Sequence, residues 1–75
     1  MEELIKAIVT PLVDHPNDVR VTAKENDGLV TYSLTVHTED KGKVIGRHGR
    51  IAKAIRSVVN AAATTRKERI QLEIF

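Results

Sequence analysis

Two glycines bracket an arginine and a histidine in Gly46-Arg47-His48-Gly49, at the centre of the run Lys41-Gly42-Lys43-Val44-Ile45-Gly46-Arg47-His48-Gly49-Arg50-Ile51. Glycine at both ends permits backbone angles closed to other residues and removes side-chain bulk. A sugar-phosphate chain can then approach the main chain closely. If a helix follows, its first N–H groups have no internal acceptor and attract phosphate. Arg47 can add a charge-assisted contact to phosphate oxygens. His48 can donate a hydrogen bond, more strongly when protonated. Ile45 and Ile51 flank the loop with aliphatic surface on which unstacked bases could rest. Tyr32 and Phe75 are the only aromatic residues, so a platform of aromatic rings for stacked bases is not expected.

Other chemistries find less support. His15, His37 and His48 lie far apart in the sequence without ligand-spaced partners, so no metal site is expected. No acid pair or Ser-His-Asp grouping stands out, and no catalytic residues, enzyme activity or cofactor are expected. With no cysteine there is neither a disulfide nor a thiolate to bind zinc or act as a nucleophile. Gly42, Gly46 and Gly49 fit neither G-x-G-x-x-G nor the P-loop, whose Lys-Ser/Thr is missing. A bare Gly-x-x-Gly can be just a tight turn. Here it follows Val44-Ile45 and precedes a basic amphipathic stretch, with strands on both sides.

The elements around the loop follow from periodicity. Leu4, Ile5, Ile8, Val9, Leu12 and Val13 recur at helical spacing and predict a helix over 2–13. Pro11 must kink it or end it early. His15-Pro16-Asn17-Asp18 is a loop. Val19, Val21 and Ala23 alternate with Arg20, Thr22 and Lys24 as in a strand, and Asn26-Asp27-Gly28 is a hairpin turn. Val30, Tyr32, Leu34 and Val36 alternate with Thr31, Ser33, Thr35 and His37, which predicts an antiparallel partner strand with His37 facing solvent. Thr38 is placed to cap a short helix with Glu39 and Asp40 in its first turn, and that helix stops at Gly46. A second helix is expected from about Arg50 to Ala63, with Ile51, Ile55, Val58, Val59 and Ala62 as its apolar stripe. Arg50, Lys53, Arg56, Ser57 and Asn60 lie elsewhere on its surface. Ile70, Leu72 and Ile74 mark a last strand. The fold class is therefore α+β in the order α-β-β-α-α-β, one domain over residues 1–75. A right-handed crossover makes the second and third strands parallel in a three-stranded mixed sheet with its helices on one face.

Charge supports a polyanion-facing surface. Residues 1–40 hold three Lys/Arg against eight acids, net −5, whereas residues 41–75 hold nine against two, net +7. Lys41 to Arg56 contains six Lys/Arg and no acid. A chain of 75 residues can build a surface groove more easily than a deep, walled active site. The first residues, with Glu2, Glu3 and Lys6, do not resemble a signal peptide, and no apolar run approaches a membrane span. The cytoplasm is the expected location.

Val44-Ile45-Gly46-Arg47-His48-Gly49-Arg50-Ile51 resembles the GXXG signature of KH domains, and the element order resembles their type II arrangement. From Met1 through the closing strand, the chain resembles the small single-domain bacterial KH proteins of the KhpA/YlqC kind. Gly42-Lys43-Val44-Ile45-Gly46 and Arg50-Ile51-Ala52-Lys53-Ala54-Ile55-Arg56 are the most specific part of the match. The resemblance implies a grip on about four nucleotides of single-stranded RNA or DNA. It implies binding by Lys43, Ile45, Gly46, Arg47, His48, Gly49, Arg50, Ile51 and Lys53. Many KH loops carry lysine where Arg47 or His48 stands here. The family likeness further implies a homodimer, a larger KH-containing partner (KhpB, Jag or EloR-like), and RNA chaperone or regulatory work linked to cell elongation and wall synthesis. The rival expectation is a protein-interaction module, because Ala54, Ala61, Ala62 and Ala63 would let another helix approach closely. RNA is preferred over DNA on family likeness alone.

Overall fold

The computed structural model describes residues 1–75. Helix α1 runs Glu2–Val9, with Glu2 and Glu3 at its positive end and Ile5 and Val9 buried. It is shorter than the 2–13 expected. Beyond Val9 the chain tightens into a 3₁₀ turn, Thr10–Leu12, with Pro11 in its first positions. Proline has no N–H to continue the helical ladder, and its ring crowds the preceding turn. A second 3₁₀ turn, Pro16–Asp18, leads into the sheet.

Strands β1 (Arg20–Asn26) and β2 (Leu29–Thr35) form an antiparallel hairpin, in register from Arg20↔Thr35 to Asn26↔Leu29. Only Asp27 and Gly28 make the turn, both with positive φ (51° and 83°), as a type I′ turn requires. Asn26 belongs to the strand. Strand β3 (Arg69–Ile74) pairs parallel with β2, Leu29↔Arg69 to Leu34↔Ile74. The order β1-β2-β3 gives the mixed three-stranded sheet expected, with β2 central.

The crossover from β2 to β3 contains α2 (Lys41–Ile45) and α3 (Arg50–Thr65). Ile5 and Val9 of α1, Val44 of α2, and Ile55 and Val59 of α3 share one core with Val21, Leu34 and Leu72 of the sheet. All the helices therefore lie on one face. The alternate strand positions, among them Thr22, Lys24, Thr31, Ser33, Gln71 and Glu73, make the open face polar.

The stripe of α3 differs from expectation. Ala52, Ile55, Val59 and Ala63 are buried, while Ile51 and Val58 stay 37% and 51% exposed. The helix is rolled so that two alanines meet the interior, where a side chain with no γ-carbon permits close packing. β2 also ends earlier than expected, at Thr35, so His37 is not a strand residue. It precedes the 3₁₀ turn Thr38–Asp40, and its ring nitrogen Nδ1 accepts the Glu39 N–H at 3.0 Å. The cap expected from Thr38 is supplied by His37.

Candidate nucleic-acid interface

Helix α2 ends at Gly46, whose φ of 75° and ψ of 174° lie in a region open essentially to glycine alone. The Gly46 N–H donates to the Gly42 carbonyl at 2.8 Å, which closes the last turn. A second constraint is steric. A β-carbon on Gly46 would sit 2.6 Å from Ile51 Cγ1. Ile51 therefore covers the bare backbone of Gly46 and holds the start of α3 against the end of α2.

Arg47-His48-Gly49 forms a single 3₁₀ turn closed by Gly49 N–H to Gly46 O at 3.2 Å. His48 takes a left-handed conformation (φ 57°), as does Gly49 (φ 71°), the residue before α3. The Arg47 and His48 side chains are exposed. No side chain caps α3, and its first turn holds no acid. Its leading N–H groups therefore face the loop without a side-chain acceptor, at the positive end of a sixteen-residue dipole.

The cations around the loop differ. Arg47, Arg50 and Lys53 are exposed, and none forms an ion pair. Lys43 is exposed but paired: its ammonium contacts the Asp14 carboxylate and lies 3.9 Å from that of Asp40. The hydrogen bond to Asp14 raises the Lys43 pKa, outweighing desolvation. Lys43 thus braces the base of α2, while three other cations stand free beside the glycines.

Asp40 is the one buried charged residue. Its carboxylate accepts the N–H groups of Asp14 (3.2 Å) and His15 (2.9 Å), so it ties the segment after α1 to the start of α2. Burial disfavours its charge, but those two hydrogen bonds, with the nearby His15 and Lys43 charges, hold its pKa below the ordinary value. The sequence placed Asp40 in a helix first turn, suited to its positive end, and carried no signal for this role.

The two flanks of α3 have opposite character. Toward α1, Ile51, Ala54 and Val58 face Ile8 and Leu12 across an apolar groove with Arg50 at its rim. Toward β3, Arg56 and Asn60 form a polar cleft with Ile70, Gln71, Leu72 and Glu73. Arg56 Nε donates to the Leu72 carbonyl at 3.3 Å and joins helix to edge strand. Ile45 is also exposed, at 38%. Of the nine residues singled out from sequence, Gly46 through Ile51 are brought together at the α2–α3 junction. Ile51 faces the α1 side and Lys43 the acids behind α2. The polar cleft was missed. Its signal was the Arg56–Asn60 spacing of four on α3 set against Gln71 and Glu73 on β3.

A family model described as "KhpA/KhpB, KH domain" matches residues 2–74. The chain is 57% identical over its whole length to the RNA-binding protein KhpA of Listeria monocytogenes, with 99% of that protein covered. It is 53% identical over its whole length to the RNA-binding protein KhpA of Bacillus subtilis, covering 93% of it. With that of Treponema pallidum it shares 49% identity over 74 residues, 99% of this chain and 92% of the relative.

Proposed function

The chain belongs to the KhpA/KhpB KH-domain family, and we propose on that premise that it is an RNA-binding protein that grips single-stranded RNA at Gly46-Arg47-His48-Gly49. The observation that carries the reading is the α2–α3 junction. It combines a glycine backbone free of side-chain bulk, exposed Arg47 and His48, an uncapped helix start, and the unpaired cations Arg50 and Lys53. Phosphates lie against the glycines and the first N–H groups of α3. Bases turn from there toward the sides of α3, where Ile45 and Ile51 offer aliphatic contact and the Arg56–Asn60 cleft offers donors and acceptors for base edges. The relatives named RNA-binding proteins support RNA over DNA.

A single KH domain over residues 1–75 holding about four nucleotides binds in the micromolar range, roughly −8 kcal/mol. Useful occupancy then calls for a second KH unit, in a homodimer or with a larger KH-containing partner, to raise the effective concentration. On this reading the protein works in the cytoplasm as an RNA chaperone or post-transcriptional regulator linked to cell elongation, and catalyses no reaction. No helix is long and apolar enough to cross a membrane.

The test is fluorescence anisotropy with a short single-stranded RNA, comparing the wild type with the Arg47→Asp, His48→Asp double variant. Two negative charges at the phosphate site should weaken binding by about a hundredfold or more while circular dichroism shows an intact fold. Equal affinity in the two proteins rejects the clamp. The exposed Leu12, Ile51 and Val58 of the apolar groove favour a second reading, a protein-docking module. That reading is preferred if the wild type binds no RNA.

A further inference from the structure

We propose that His15, His37 and Glu39 form a binding site for a borderline divalent transition ion of the zinc class. The fold brings together two histidines separated by 22 positions in the sequence. His15 lies in the loop after α1 and His37 at the end of β2, with their rings stacked at a centroid distance of 4.0 Å. One donor atom from each of the two imidazoles and from the Glu39 carboxylate lies within 4.8 Å of the other two. Two imidazole nitrogens and one carboxylate oxygen suit zinc, cobalt, nickel or copper better than magnesium or calcium, which prefer all-oxygen sets.

The hydrogen bonds define which nitrogen is used. His37 Nδ1 accepts the Glu39 N–H at 3.0 Å, so its lone pair points to where the Glu39 segment begins. His37 Nε2 faces Asp18 Oδ2 at 3.9 Å. A neutral ring in this setting carries its proton on Nε2, toward a carboxylate. Asp18 lies beyond hydrogen-bond distance, so its charge favours that tautomer only through space. The ion replaces the Glu39 N–H at Nδ1. No hydrogen bond engages the His15 ring, while its backbone N–H is held by Asp40 at 2.9 Å, so the ligand's main chain is anchored. Bonds of about 2.0–2.1 Å in tetrahedral geometry require donors about 3.3 Å apart. The donors must converge from within 4.8 Å to that spacing by rotation of side chains of which two are half-buried and one, Glu39, is exposed. Asp14, Asp18, Glu39 and Asp40 against Lys43 make this corner acidic, which favours a dication.

The test uses untagged protein freed of metal by chelation and titrated with Co²⁺, followed by its visible d–d absorption, with Zn²⁺ as competitor. One equivalent should bind with bands of low coordination number, and Zn²⁺ should abolish them. His15→Ala and His37→Ala should each weaken binding at least about tenfold, Glu39→Gln should weaken it less, and His48→Ala should leave it unchanged. Since His37 also caps a turn, His15→Ala is the decisive variant if His37→Ala does not fold. Failure of the wild type to bind Co²⁺ saturably, or equal affinity in folded His15→Ala, overturns the assignment.

Discussion

At Gly46, conformation and packing make the same demand. The backbone lies where an alanine costs about 1–3 kcal/mol, and the new methyl would meet Ile51 at 2.6 Å. Gly46→Ala should therefore destabilise the protein by about 2 kcal/mol or more in urea unfolding and weaken RNA binding further by moving α3. Gly42 is the contrast: it is helical, and nothing lies within 4 Å of a β-carbon there. Gly42→Ala should stabilise by about 0.5–1 kcal/mol and leave the loop intact. Two glycines four positions apart thus have opposite tolerances. Asp40 gives a pH-dependent counterpart. Its pKa is lower in the folded protein than in the unfolded chain, so its contribution is present above the unfolded value of about 3.9 and is lost as pH falls through the folded value. In urea titrations over an acidic pH series, Asp40→Asn should be less stable than the wild type at neutral pH. The gap should narrow on acidification.

Among the elements, α3 decides what the site can contact. One flank is apolar against α1, the other polar against β3. Arg56 lies on the polar flank and also links α3 to the Leu72 carbonyl. Arg56→Ala should weaken RNA binding several-fold and lower the salt dependence by about one unit of slope if the residue meets a phosphate. Stability should fall by only about 1 kcal/mol, the value of one partly exposed hydrogen bond. A base-edge role predicts weaker binding at unchanged slope, and the salt series separates the two. The ends of the elements were less legible than their existence. Proline cut α1 to Val9, His37 replaced Thr38 as a cap, and α3 was rolled toward Ala52 and Ala63. The roll of α3 depends on which atoms lie nearby in space, which periodicity does not carry, whereas Pro11 and His37 act on their own neighbours in the chain.

Across the whole molecule, charge is divided between an acidic first half and a basic second half, net −5 over residues 1–40 and +7 over 41–75. About two or three phosphate contacts give log affinity a slope near −2 against log salt, so raising salt fourfold should weaken RNA binding about sixteenfold. Anisotropy across a salt series checks this, and a flat response would point away from phosphate contacts. The α+β order, the hairpin, the parallel crossover and the Gly46–Gly49 junction were all determined by the sequence. They rest on local signals: alternation, turn residues, helical spacing and a short glycine motif. Tertiary structure alone decided that Lys43 pairs with Asp14 and lies near Asp40, that Asp40 is buried, and that Ile51 covers Gly46. It also decided that His15 and His37 stack. The physical reason is common to all four. Whether the partners are distant in the chain, as His15 and His37 are, or close, as Gly46 and Ile51 are, these contacts depend on distances that exist only once the sheet and helices have packed.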